Sequence, residues 1–222
     1  MKITDIESII LQHDMDEELG FAQGYYDKRT AHLVRVHTDE GLTGIGEVFG
    51  AGPFAFANQA ILKHVITPRL IGRSPLDINV IWHEIYNAVR DHGQKGLPIC
   101  CLSGVDIALW DILGKATSQP LYQLLGGKAR EESVAYGYGM MFRKREDLPA
   151  VYEEEVGRIV ELGFTASKMK IGMGVERDAE LAAAVRRGTG DGFKLMADAN
   201  HAYAVGEAIQ LGQRLRDLGF YW

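Results

Sequence analysis

Two short segments carry side chains that could do chemistry together: Lys168-Met169-Lys170 and Asp198-Ala199-Asn200. In an extended strand, residues two apart project from one face, so each segment presents a pair. Two ammonium groups held side by side repel, and burial disfavours both charges. A lysine so placed becomes available as a general base near neutral pH. A carboxylate at a strand end is a natural Mg²⁺ ligand, and an amide beside it can orient a substrate or ligand. Singly, each motif has a plainer reading: lysines on a solvent-facing strand, and an Asp and Asn that turn a strand end. Together they suggest metal-assisted proton abstraction. His201 follows Asn200, is expected on the opposite face, and reads as structural or surface; the other six histidines show no ligand spacing.

A repeat positions these segments. Gly163-Phe164, Gly192-Phe193 and Gly219-Phe220 each open an apolar run, with the phenylalanines 29 and 27 residues apart. Each glycine suits a helix-to-strand connection that needs positive φ. The runs predict strands over Phe164–Ile171 and Phe193–Asn200 and the start of another at Phe220. Amphipathic helices are expected between them over Glu176–Arg187 and Val205–Leu218, with a further helix at Leu148–Leu162 and a short strand at Val134–Met141. Strand–helix–strand units of this period predict a parallel sheet, covered on both faces, with ligands at the C-terminal strand ends.

The preceding part reads differently. Ile3–Leu11, His32–His37 and Thr43–Val48 predict a three-stranded antiparallel sheet, with Asp39-Glu40-Gly41 as a turn. Two long connections, Asp14–Lys28 and Gly50–Phe56, are polar, aromatic or Gly/Pro-rich, and long loops of this kind are usually functional or disordered. Helices follow over Phe56–Ile66, Leu76–Arg90 and Leu97–Ala116. The last is apolar but interrupted by Asp106, Asp111 and Lys115. Leu121–Leu125 then leads to a stop at Gly126-Gly127. Two domains are expected, 1–127 and 128–222.

Bulk properties narrow the function classes. The 222 residues are 46% hydrophobic and 24% charged, an ordinary globular composition. A net charge of −6 argues against nucleic acid or an anionic membrane as partner. The charged N-terminus lacks the apolar core of a signal peptide, and no uncharged apolar run is long enough to span a bilayer. Adjacent Cys100 and Cys101 read as buried packing residues and offer no loop-closing disulfide framework. A soluble, cytoplasmic protein is expected.

At these motifs the sequence resembles the enolase superfamily, in its mandelate racemase/muconate lactonizing branch. Thr38-Asp39-Glu40-Gly41-Leu42-Thr43-Gly44-Ile45-Gly46-Glu47 is similar to that branch's N-terminal hairpin. Ile107 to Lys115, then Pro120-Leu121 and Leu124 to Gly127, are similar to its cap-to-barrel junction. Lys168-x-Lys170 and Asp198-x-Asn200 resemble its second- and third-strand motifs. The resemblance implies an α+β capping domain followed by a (β/α) TIM-type barrel. It implies Lys170 as the base that takes a proton α to a carboxylate, with Lys168 beside it on that carboxylate. Asp198 would be the first of three acidic Mg²⁺ ligands, and Asn200 would lie close to substrate and base. The stretches Asp14–Lys28 and Gly50–Phe56 would be cap loops over the substrate, with Tyr25 and Phe54 as candidate contacts. Acid-sugar dehydration is the expected reaction, with racemisation, epimerisation or cycloisomerisation as alternatives. The expected partners are a small-molecule carboxylate and further copies of the chain in a homo-oligomer.

A complete barrel of this type takes about 250 residues. The barrel-like part here runs from near Glu131 to Trp222 and is expected to hold three βα units and the opening of a fourth strand. The remaining acidic ligands and the late-strand catalytic partner are expected outside this sequence. The expected fold is therefore a barrel truncated after about three βα units, and a catalytically incompetent N-terminal fragment that self-associates is the competing functional reading.

Overall fold

The computed structural model describes residues 1–50 and 52–222; Ala51, inside the expected Gly50–Phe56 connection, lies outside the described residues. The chain divides into two compact units. The first is Met1–Asp14 with Lys28–Glu131, the second Met15–Asp27 with Glu132–Trp222.

In the first unit, β1 (Ile3–Phe21), β2 (Gly24–Thr38) and β3 (Thr43–Val48) form an antiparallel sheet in that order. His32, Val34, Val36 and Thr38 alternate inward along β2 and are buried. They face a helical layer. This holds α1 (Phe54–Ile61), a π-helical turn (Leu62–Ile66), α2 (Thr67–Leu70), α3 (Ile78–Val89), α4 (Leu97–Thr117) and α5 (Leu121–Leu124). Leu102, Val105, Leu109 and Ile112 of α4 pack with Ile81 and Ile85 of α3 and with Val34, Val36 and Val48 of the sheet. Among described helices, α4 alone has the length and apolarity to cross a membrane, yet this face of it is core.

The helix α4 lies hard against β3 because glycines line the contact. A Cβ on Gly44 would stand 2.0 Å from the Ala108 carbonyl oxygen, and one on Gly46 would stand 1.9 Å from that of Gly104. Two of the charges interrupting α4, Asp111 and Lys115, are explained by the same contact. Asp111 Oδ2 accepts from the Ile45 N–H at 2.9 Å, and Lys115 Nζ donates to the Thr43 carbonyl at 2.7 Å. One turn of helix thus satisfies both backbone groups on the outer edge of β3.

The second unit holds β4 (Gly137–Tyr138), β5 (Ala166–Lys170) and β6 (Lys194–Asp198), parallel and in that order, with α6 (Leu148–Glu161), α7 (Val175–Thr189) and α8 (Val205–Asp217). Tyr152, Val156, Leu181, Val185 and Leu195 form its buried centre with Met169. The three glycines that open the apolar runs have φ of 86°, 86° and 68°, so the helix-to-strand reading of the repeat is met. After the third, the Tyr221 N–H donates to the Leu195 carbonyl at 2.7 Å, and the Ala197 N–H donates to the Trp222 carbonyl at 2.9 Å, so the chain runs along β6. The fold is therefore an α+β cap and a partial parallel barrel.

Some elements differ from expectation. The stretch Asp14–Lys28 is mostly strand: β1 and β2 run on to a turn at Ala22-Gln23. Its tip joins the second unit, where Gly20 and Phe142 exchange backbone hydrogen bonds of 2.8 and 2.9 Å. Val134–Met141 shortens to Gly137–Tyr138, and Met140 takes φ 51° while its carbonyl still accepts from the Lys170 N–H at 3.2 Å. β6 stops at Asp198 because Asn200 and His201 take φ of 43° and 65°.

Candidate active site

The register of β5 against β6 builds the site. Lys168 lies opposite Met196 and Lys170 opposite Asp198, so both lysines and the carboxylate share the C-terminal edge of two adjacent parallel strands. Lys170 Nζ donates to Asp198 Oδ2 at 2.8 Å and Lys168 Nζ to the same oxygen at 3.1 Å. Lys170 also donates to Asn200 Oδ1 at 2.5 Å. Lys170 is 6% exposed, too buried for a surface lysine. Asn200 lies beyond the strand, not on it, but its left-handed backbone turns the side chain back to Lys170 and lets its N–H donate to Asp198 Oδ1 at 3.1 Å.

The electrostatics follow from that convergence. Burial pushes the Asp198 carboxyl up. The Lys170 hydrogen bond, the Asn200 N–H, the Lys168 hydrogen bond and the Lys170 charge outweigh burial and hold it at about 2. At neutral pH Asp198 is a carboxylate that holds two ammonium groups at its Oδ2.

Aromatic faces complete the surroundings. The Tyr138 ring centroid is 5.0 Å from Lys168 Nζ and 5.6 Å from Lys170 Nζ, and Phe21 lies 6.0 Å from Lys170 Nζ. Neither residue was singled out in the sequence, because only folding brings the hairpin tip and β4 to the lysines. The tip is fastened by Gln23, which donates to the Asn200 carbonyl at 2.7 Å, and by Arg143, which donates to Glu17 at 2.9 Å and to Glu155 at 3.2 Å. Tyr25 is also in the tip. Its ring packs on Gly20, 4.9 Å below Lys144 Nζ. Phe54 opens α1 in the first unit and is exposed. His201 is exposed, beside the site in sequence.

The residues present do not make up a metal centre. No group of three or more His, Cys, Asp or Glu side chains that could hold an ion occurs among the described residues. One carboxylate, already bound by two ammonium groups, supplies too few oxygens for Mg²⁺.

The sequence matches the family Mandelate racemase / muconate lactonizing enzyme, N-terminal domain, over residues 6–126, and Enolase C-terminal domain-like over residues 151–222. It is 41% identical over 222 residues to the D-galactarolactone cycloisomerase of Agrobacterium fabrum, covering all of this chain and 58% of that protein. It is 36% identical over 188 residues to the arabinonate dehydratase of Saccharolobus solfataricus, covering 84% of this chain and 50% of that protein. The crystal structure of a racemase from Streptomyces coelicolor A3(2) with bound magnesium superposes with a TM-score of 0.90 at 26% identity, over 99% of this chain and 61% of that one. The chain thus spans between 50% and 61% of the length of these relatives.

Proposed function

The chain belongs to the mandelate racemase and muconate lactonizing enzyme family of the enolase superfamily, and from that premise we propose that it supplies the basic half of an acid-sugar enzyme active site. One observation carries the reading: two lysines two residues apart converge on one carboxylate oxygen at a parallel strand edge, in a setting where Lys170 is buried. The proposed substrate is a hydroxylated carboxylate. Lys168 holds its carboxylate as an ion pair. Lys170, released from Asp198 but still held by Asn200 and in its neutral form, takes the proton on the adjacent carbon. The electron pair of that C–H bond moves into the carboxylate to give an enediolate, which the Lys168 ammonium stabilises. Asn200 keeps Lys170 in line during the transfer.

The fate of the enediolate separates the reactions. Expulsion of a β-hydroxyl is dehydration, the first expectation from the lysine pair. Expulsion of a ring oxygen opens or rearranges a ring with no loss of water. Return of a proton to the other face is racemisation. Identity of 41% along the whole chain to a D-galactarolactone cycloisomerase favours the ring-oxygen outcome as the second reading.

Magnesium enters the proposal through Asp198 as one ligand of a set whose other members would lie in the length of the relatives not matched here. Exchange of the substrate α-proton in deuterated water, followed by NMR over a panel of aldonates, aldarates and their lactones, tests the shared first step. Exchange in the wild type and none with Lys170→Ala is the expected result. Equal exchange in both removes Lys170 as the base.

A further inference from the structure

Beyond Lys170, the chain leaves β5 through Ile171-Gly172-Met173-Gly174, and beyond Asn200 it leaves β6 through His201-Ala202-Tyr203. One buried side chain ties these two exits together. Asp178, in the first turn of α7, is 0% exposed. It accepts from the Gly172 N–H at 2.5 Å, from the Met173 N–H at 3.2 Å and from the Tyr203 hydroxyl. The Tyr203 oxygen in turn accepts from the Gly174 N–H at 3.1 Å. Burial pushes the Asp178 carboxyl up, opposed by these three donors.

We propose that Asp178 and Tyr203 are positioning residues that set the Lys170–Asn200 contact by clamping the β5 and β6 exits to one another. Two features separate this from ordinary helix capping. A carboxylate in the first turn of a helix can satisfy nearby N–H groups and the helix dipole by itself. Here the hydroxyl that completes the cluster comes from 25 residues downstream. The segment it anchors also contains two consecutive non-glycine residues in the left-handed region, Asn200 at φ 43° and His201 at φ 65°. Such a conformation persists only where its surroundings hold it. Tyr203 fixes that segment two residues downstream of His201. Gln23 fixes it at the Asn200 carbonyl. Gly172 adds a close seat: a Cβ there would stand 2.6 Å from Ala22 Cβ and 3.0 Å from Ala202 Cβ, so the tip and both exits meet at a residue without a side chain. The polar atoms of Asp178 and Tyr203 are spent on one another and on backbone, so they touch no substrate.

The inference rests on the base assignment above for its catalytic consequence, and on geometry alone for the clamp. The test uses the 222-residue chain as wild type, Tyr203→Phe, which keeps the ring, and Asp178→Asn, which keeps an acceptor oxygen. Amide hydrogen exchange by mass spectrometry is compared with α-proton exchange on the aldonate or lactone whose α-proton the wild type exchanges fastest. Amide exchange over 171–174 and 199–204 should rise at least tenfold in Tyr203→Phe while that over α6 stays unchanged. The maximal α-proton exchange rate should fall about tenfold at an unchanged half-saturating concentration. Unchanged amide exchange in both exit segments overturns the clamp, as does a rise spread evenly over the unit. If the wild type exchanges no α-proton, the base reading fails separately, and the amide data still decide the clamp. If Asp178→Asn does not fold, Tyr203→Phe alone decides.

Discussion

Lys170 donates to the side-chain oxygen of Asn200 at 2.5 Å, across 30 positions of sequence, one strand–helix–strand repeat. That contact fixes the amine of the proposed base from the neighbouring strand exit. Asn200→Ala should leave the strands intact and slow α-proton exchange by about 10–100-fold, a smaller loss than the roughly 10²–10⁴-fold expected for Lys170→Ala, since the base itself remains. NMR exchange rates on the two variants, with thermal melts as the folding control, check the ranking.

The pH dependence of stability should carry the mark of Asp198. Its carboxyl is held at about 2, below the roughly 4 of an unfolded chain. A group with a depressed folded value stabilises fully above its unfolded value, and that stability drains away as pH falls through the folded one. Between pH about 4 and about 2, the wild type should therefore lose stability more steeply than Asp198→Asn. At neutral pH the variant should be less stable by about 1–3 kcal/mol, because the buried Lys170 and the partly buried Lys168 lose their partner. Parallel acid-unfolding curves for the two proteins would contradict the ion-pair assignment.

In the first unit, the helix–strand contact tolerates no added carbon. Gly46→Ala should cost about 3 kcal/mol or more, because the new Cβ would overlap a backbone oxygen, which cannot turn aside as a side chain can. Gly41→Ala, with open space around it but φ of 80°, should cost only about 1 kcal/mol. Urea melts of the pair separate steric overlap from backbone strain.

Arg143 holds the hairpin tip with little exposure of its own, 14% at the side chain. Arg143→Met keeps much of its bulk but releases Glu17 and Glu155. Chymotrypsin should then cut at Phe21, Tyr25 and Tyr26 several-fold faster than in the wild type, with the cut sites read by mass spectrometry. Unchanged cleavage would assign the tip's order to the Gly20–Phe142 backbone bridge and the Gln23–Asn200 contact.

Arg186 gathers four backbone carbonyls, from Gly190, Phe193, Leu218 and Gly219, at 2.8–3.0 Å. No single lysine can match its planar fork. Arg186→Lys should destabilise the chain by about 2–3 kcal/mol, and Arg186→Ala somewhat more, both read by urea denaturation.

Much of this arrangement is legible in the sequence, for reasons that can be named. Gly163, Gly192 and Gly219 announce strand starts because the helix-to-strand turn requires positive φ, and the strands they introduce carry the two chemical motifs. Lys168 and Lys170 must share a face because strand geometry has period two. The hairpin extension was not legible. Asp14, Asp16, Glu17 and Glu18 make that stretch look like solvent-exposed loop, and its strands bury little of either face. Tyr138 and Phe21 give no local signal, since they reach the lysines from separate segments, 30 residues before Lys168 and 149 before Lys170. Asp178 reads as an ordinary acid in the first turn of a helix until Tyr203 is seen against it.

The second unit draws residues 15–27 from one end of the chain and the rest from beyond Glu131. No single cut, and no single recombination point between genes, can therefore transfer it whole. A chimera joined near residue 128 would mate the tip of one parent with the Phe142 and Arg143 segment of the other. Its success would depend on whether Glu17, Gln23 and Ala22 suit their new neighbours. The residues that surround the lysines are in this sense inherited in two pieces, and the pieces can diverge only together.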